Sequence, residues 1–464
     1  MKKTYILTLL TLLFLGCNDF LEPKSQDQVI PKHVDQLKEL LLGEIIQEKE
    51  DFLKYLPLMT DDFSDRDGRT YEYRNGYWGY YTWQQEPEDS RDNVTVDDKA
   101  WEKLYHTIFI CNIIIHDTPD LEGTEEEKNK LLAETYFIRA QAYFCLANLY
   151  GEPYENGEQA RTALGVPLNH ETTILNKRYS RSSLAEVYAQ VESDLKESIR
   201  RFQNVEWAKN FVRPSLDVAY LLASRFYLYK KEYQLAKNYT DSIIKNERYQ
   251  FYDLVATPTS EYSWFLHGSN PEIMFCYGMV DFDYIYTISG AAIYTASPSL
   301  KNLFGTGDLR RASFISKDIQ PHKYNNGLST CYGNTYRWAE VYLNRAEAQI
   351  YLDKWQDAIN DINILRKNRI KGDYQITATD KDDALLKVRE ERRRELCFEG
   401  QRWFDLRRYG MPEIRHIFTV NGVPQEYVLQ EKSKAYILPI PQSIRQQNTI
   451  IENVNRPVQN QHLK

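Results

Sequence analysis

A chain of 464 residues holds one large or two ordinary domains, and an apolar share of 42% is ample for a core. Acidic side chains outnumber basic ones, 66 to 58, for a formal charge of −8, a balance that repels a polyanion and excludes nucleic acid as a partner. Aromatic residues reach 13%, with 35 tyrosines, more than leucine-rich helices need to fill a core. The chain opens with Lys2 and Lys3, the apolar run Tyr5 to Leu15, then Gly16 and Cys17, and turns polar at Asn18 and Asp19. A charged start, a short apolar stretch and a small residue before a processing point predict an export signal over residues 1–16. Its run of about eleven apolar residues is short of the ~20 that cross a bilayer, and no later stretch approaches that length.

Periodicity predicts helices near 33–49, 97–117, 125–150, 183–203, 215–230 and 233–246 in a helical region spanning 17–250. Glycine and proline interrupt it at Gly151 to Pro153 and Gly165 to Pro167. The second region, 251–464, starts with an irregular stretch to about residue 335, rich in turn residues, with a strand predicted at Ile273 to Tyr277. Helices resume at 336–352, 355–368 and 380–399, before a mixed tail in which Ala435 to Pro441 is extended because two prolines forbid helix. The pattern repeats. Tyr220-Leu221 aligns with Tyr342-Leu343, and the register carries Tyr229 onto Tyr351, Tyr233 onto Trp355, Ala236 onto Ala358 and Ile243 onto Leu365. A partial third copy shows at Tyr136, Arg139-Ala140 and Ala142. Small alanines let paired helices approach closely, and the arrangement resembles the tetratricopeptide repeat, whose units stack because none buries its apolar face alone. The predicted fold is mainly α, a repeat scaffold with large irregular insertions.

Cys17 after Phe14-Leu15-Gly16 resembles the bacterial lipobox, with Phe14 in place of the usual leucine, and the resemblance implies that Cys17 is acylated. Residues 389–408 form a helix of interleaved charge in which Glu390 and Arg394 stand at i and i+4, and Gly400 suits its C-terminus. This stretch, running from Arg389 through Glu399-Gly400 to Trp403-Phe404-Asp405, resembles the signature of the SusD/RagB family of nutrient-binding outer-membrane lipoproteins. Further similarities fall in the same order along the chain: Asp19-Phe20-Leu21, Trp101 and Tyr105 ahead of Asn112, Arg139-Ala140 ahead of Tyr150-Gly151, Asn270 to Ile273, Ala339 to Asn344, and Leu438 to Pro441. The resemblance implies a surface lipoprotein that captures a nutrient, chiefly an oligosaccharide, and passes it to a TonB-dependent transporter of the SusC type. Arg392, Arg393, Glu395, Glu399, Arg402, Trp403 and Asp405 are expected to brace the last helix against the repeats rather than to catalyse.

The ligand is expected on aromatic loops. Residues 71–83 carry seven rings in thirteen positions and fit neither a helical nor a strand period, so they read as a loop offering Tyr77, Trp78 and Tyr81 as sugar platforms, with Trp83 pinning the loop to the helices. A second group in the irregular stretch offers Trp264, Tyr284 and Tyr286. Asp61, Asp62, Asp65 and Asp67 depart from the calcium-loop pattern and read as a solvated turn. The five cysteines after Cys17 show no zinc spacing and read as packing residues. Isolated histidines and a Gly305-Thr306-Gly307 without lysine point to no cofactor. Two other classes stay open on the residues alone: a lipid-anchored glycosidase using loop carboxylates, and a repeat scaffold that binds only proteins.

Overall fold

A computed structural model describes residues 31–463 except 47–50, 67–71, 90, 92–94, 209, 259–264, 267–269, 278–286, 289–290, 317–319, 322, 324–333 and 460–461. Eight helices form the frame: α1 (Ala100–Asp117), α2 (Glu125–Tyr150), α3 (Leu184–Phe202), α4 (Leu216–Tyr229), α5 (Tyr233–Lys245), α6 (Trp338–Tyr351), α7 (Trp355–Lys367) and α8 (Lys381–Leu396). Each matches a sequence-predicted helix. The one expected at 33–49 begins as an α-helix, Val34–Leu41, and continues as a π-helical stretch, Leu42–Ile46.

Local chemistry sets the helix starts. Thr124 Oγ1 accepts the Glu127 N–H at 3.2 Å while the Glu127 carboxylate accepts the Thr124 N–H at 2.8 Å, and Ser183 with Glu186 repeats this capping box at α3. α2 is buried along almost its whole length from Leu131 onward, so it is the central helix, with α1 and α3 against it. On α3 the buried Leu184, Val187, Tyr188, Val191, Leu195 and Phe202 follow the stripe of a one-sided helix.

The repeat is real in three dimensions. α4 and α5 form one helical hairpin and α6 and α7 another, and the turn of each contains a non-glycine residue at positive φ: Lys231 at 61° and Asp353 at 60°. These two residues are equivalent in the register read from sequence. Ala236 and Ala358 are fully buried, and Tyr233 stacks on Tyr351 at 4.1 Å, which joins the copies. The partial third copy also holds: Arg139 on α2 pairs with Asp194 on its neighbour α3 at 2.7 Å, as Arg345 on α6 pairs with Asp361 on α7 at 2.6 Å.

Short strands stitch the insertions to this frame. β1 (Phe63–Asp65) pairs with β3 (Tyr294–Ala296), and β2 (Ile273–Tyr277) with β4 (Asn334–Arg337), all antiparallel. The tail, read as mixed, contains a regular hairpin, β5 (Ile414–Val420) and β6 (Val423–Leu429), joined by Asn421 and Gly422 at φ 51° and 79°. Two central residues at positive φ make the turn type whose twist suits a hairpin. Beyond it the chain to Pro441 is extended as expected, apart from one 3-10 turn at Lys434–Tyr436, and Leu438 donates its N–H to the Leu149 carbonyl at 2.9 Å. One large apolar cluster runs from Val34 to Ile451, and a smaller one lies among α6, α7 and α8.

Candidate ligand-binding site

The aromatic segment is not an open loop. Two short helices, Glu72–Gly76 and Trp78–Tyr81, carry it, and they are held against β5. Arg74 clamps Asp65 through two hydrogen bonds of 2.6 and 2.5 Å, donates to the Thr419 carbonyl, and lies 3.8 Å over the Phe418 ring. Tyr81 is 1% exposed. Its ring stacks on His416 at 4.1 Å, and its hydroxyl accepts the Asp65 N–H at 2.8 Å and donates to the Ile417 carbonyl. Tyr77 is 3% exposed. Burial corrects the reading of both as open platforms, because the helical turns rotate them into the core. Trp83 pins the segment as expected: it is fully buried, donates to the Met59 carbonyl at 2.9 Å, and stacks on the other face of the His416 region at 4.3 Å.

Trp78 keeps part of its ring accessible. Tyr427 meets it edge-on at 6.2 Å, and the Arg91 guanidinium stands 5.7 Å from the ring centre. Trp264, Tyr284 and Tyr286 lie outside the described residues. Between Tyr81 and Trp83, His416 places its two ring nitrogens 2.7 and 2.9 Å from the Tyr81 and Thr60 carbonyls, and burial drives its pKa down to about 4.

The stretches flanking the second aromatic group are anchored by a buried ionic network. Glu395 on α8 meets Arg310, Arg337 and Arg369 at 2.9, 2.7 and 2.9 Å. Glu272 beside β2 also joins Arg337 and Arg369. Glu399 accepts from Lys323, Arg337 and Thr335. Burial by itself would raise the Glu395 carboxyl, but Arg369, Arg337 and Arg310 hold it well below the usual range. Lys323 further donates to the Glu395 carbonyl, and its own carbonyl accepts the Leu266 N–H at 2.9 Å. Thus β2, β4, Leu266 and Lys323 all end on α8.

The signature residues are ion-paired, but of those expected to brace against the repeats only Arg392 reaches α6, whereas Arg393, Glu395, Glu399 and Arg402 hold the insertions. Arg392 pairs with Asp405 at 2.8 Å and reaches Asn344 on α6, Arg393 bonds Asp62, and Arg402 grips Asp61 with two bonds of 2.8 Å. The pair expected between Glu390 and Arg394 is loose at 3.8 Å, since Arg394 prefers Glu391 at 2.8 Å. Asp61, Asp62 and Asp65 are therefore not a solvated turn; each neutralises an arginine, and Asp67 lies outside the described residues. Cys111, Cys145, Cys276 and Cys397 are free thiols, three of them buried. Sequence reasoning missed Arg310, Arg369 and His416, which stand in no motif, although Glu272 did fall in the Asn270 to Ile273 match.

A frame of helical repeats with insertions clamped onto it defines the class of fold. A family model described as the SusD family matches residues 306–460, and another, described as starch-binding associating with outer membrane, matches residues 19–228. SusD-like protein P38 of Formosa agariphila is 23% identical over 449 residues, covering 78% of this chain and 84% of that one. A SusD superfamily protein from Bacteroides thetaiotaomicron superimposes with a TM-score of 0.75 at 22% identity, over 92% of this chain and all of its own. A SusD-like carbohydrate binding protein from Bacteroides vulgatus does so with a TM-score of 0.67 at 20% identity, over 90% and 97%. The chain belongs to the SusD/RagB family of outer-membrane binding proteins.

Proposed function

We propose that the protein is a lipoprotein attached to the outer membrane through Cys17, facing the cell exterior, which binds an oligosaccharide and delivers it to a SusC-type TonB-dependent transporter. The observation that carries the ligand half of this reading is the placing of Trp78. Trp78 is only half-buried beside Arg91, while Tyr77, Tyr81 and Trp83 of the same segment are buried. An apolar face with a hydrogen-bonding cation alongside suits a sugar ring. Trp264, Tyr284 and Tyr286, the second aromatic group of the sequence, are proposed as further ligand contacts, and the buried Tyr77 and Tyr81 as support for the segment that carries Trp78. The starch-binding family model that matches residues 19–228 and the carbohydrate binding protein from Bacteroides vulgatus support the same reading.

A glycan array identifies the oligosaccharide, and calorimetric titration then measures it against Trp78→Ala and Trp264→Ala. Truncating a true anchor costs roughly 2 kcal/mol, a loss of ~30-fold in affinity. Each variant is expected to lose that affinity with an unchanged circular dichroism spectrum, and the recovered ligand is expected uncut. Wild-type binding in both variants would remove these rings from the site.

A further inference from the structure

A cavity of about 310 Å³ opens between the C-terminal end of α3, the 203–215 connection and the start of α4. Among the described residues, none of its walls comes from the aromatic segments 71–83 or 262–294. Lys130, Arg213 and Arg248 line it, against the single carboxylate of Glu206.

Two of these cations are fixed from behind. Arg213 donates through Nη2 to Glu134, and Arg248 through Nη1 to Asp217 at 3.1 Å; both carboxylates are completely buried. Asn246 holds Asp217 in turn, at 2.8 Å. Each guanidinium spends one nitrogen on this attachment, and the other nitrogens make no hydrogen bond among the described residues. Lys130 forms no ion pair among them either. Phe202, Val205 and Trp207 supply the apolar part of the lining, and the Arg248 guanidinium lies 4.7 Å from the centre of the Trp207 ring.

The surplus is therefore of donors, and the two guanidinium groups among them are held in place before any ligand arrives, while Lys130 is exposed and unpaired among the described residues. A planar guanidinium fork matches a carboxylate or sulfate oxygen pair, and donors already fixed lose little freedom on binding. The volume is at the small end of ligand pockets, roughly 300–1,000 Å³, so it admits one small unit and not a chain. We propose that this cavity is a second ligand site, taking a single sugar unit that carries an acidic group, a carboxylate or a sulfate ester. The acidic group meets Lys130, Arg213 and Arg248, and the ring lies along Trp207. The site is independent of the aromatic-loop surface and stands or falls apart from it.

Calorimetric titration of the detergent-extracted full-length protein with D-glucuronate, glucose 6-sulfate, glucose and sodium sulfate tests the site. One or both acidic sugars are expected to bind, the tighter one naming the acidic group, with glucose weaker by at least about tenfold, the scale of one charge-assisted hydrogen bond. Lys130→Glu and Trp207→Ala are each expected to weaken the acidic sugar about tenfold at unchanged circular dichroism, while Trp78→Ala leaves it unaltered. Equal binding of glucose, equal competition by sodium sulfate, no binding of either acidic sugar, or wild-type affinity in both variants would overturn the proposal. So would loss in Trp78→Ala without loss in Lys130→Glu, which would seat the acidic sugar on the aromatic loops.

Discussion

Removing Glu399 tests the brace that holds the insertions. Its carboxylate takes four hydrogen bonds, from Lys323 Nζ at 2.6 Å, Arg337 Nη2 and Nε at 2.8 Å, and Thr335 Oγ1 at 2.9 Å. Burial would raise its pKa, yet Arg337 and Lys323 outweigh that and hold it below the ordinary value. In Glu399→Ala, Arg337 keeps Glu395 and Glu272, but Lys323, which has no exposed surface, keeps among the described residues only the Glu395 carbonyl and the face of the Phe314 ring and loses its carboxylate. Stranding a buried charge costs about 3–5 kcal/mol. Urea unfolding at pH 7, followed by tryptophan fluorescence, is expected to show that loss as a lower midpoint with unchanged slope. Replacing both partners with apolar side chains removes the stranded charge, so Lys323→Met with Glu399→Leu is expected to return to within about 2 kcal/mol of wild type. A loss below about 1 kcal/mol for Glu399→Ala, or a double variant as unstable as the sum of the singles, would refute the reasoning.

His416 gives a pH signature of known sign. Its folded pKa is depressed from 6.5 to about 4, so the unfolded chain binds the proton first, and the stability is complete above pH 6.5 and lost as pH falls toward 4, by about 3 kcal/mol. His416→Phe is expected to flatten the urea midpoint across that window, and an unchanged slope would contradict the assignment. At Gly79 a Cβ would collide with the Pro87 carbonyl oxygen and stand 2.8 Å from that of Asp89. Gly79→Ala is accordingly expected to cost about 1–3 kcal/mol, read from the same midpoint; a neutral effect would show that the 84–89 stretch yields freely.

The frame was legible because its helices carry long periodic stripes and explicit caps. α2 and α3 begin where Thr124 with Glu127 and Ser183 with Glu186 say they should, and the register that set Lys231 against Asp353 survives as a shared backbone conformation. The hairpin of β5 and β6 was missed, because neighbouring prolines and charges masked the turn signal of Asn421-Gly422 between alternating segments. The aromatic segment misled for a physical reason. Helices of four or five residues are too short to display a period, so nothing in Tyr77 or Tyr81 announced which rings turn inward. The ionic network is likewise silent in sequence beyond the signature helix: Arg310, Arg337 and Arg369 come from three separated stretches, and only folding brings them to Glu395.

The double anchoring of the insertions bears on how much change of length they absorb. Residues 278–293 leave from Tyr277, paired to Asn334, and return at Tyr294, paired to Asp65; residues 324–333 run from Lys323, bound to α8, to the start of β4. Described contacts close both excursions at their ends, and Ile293 at the end of the first is itself buried in the core. Lengthening such a loop twofold costs only about 0.6 kcal/mol in closure entropy, far less than the brace contributes. Changes of length in the two stretches are thus cheap to absorb as long as the contacts at their ends persist.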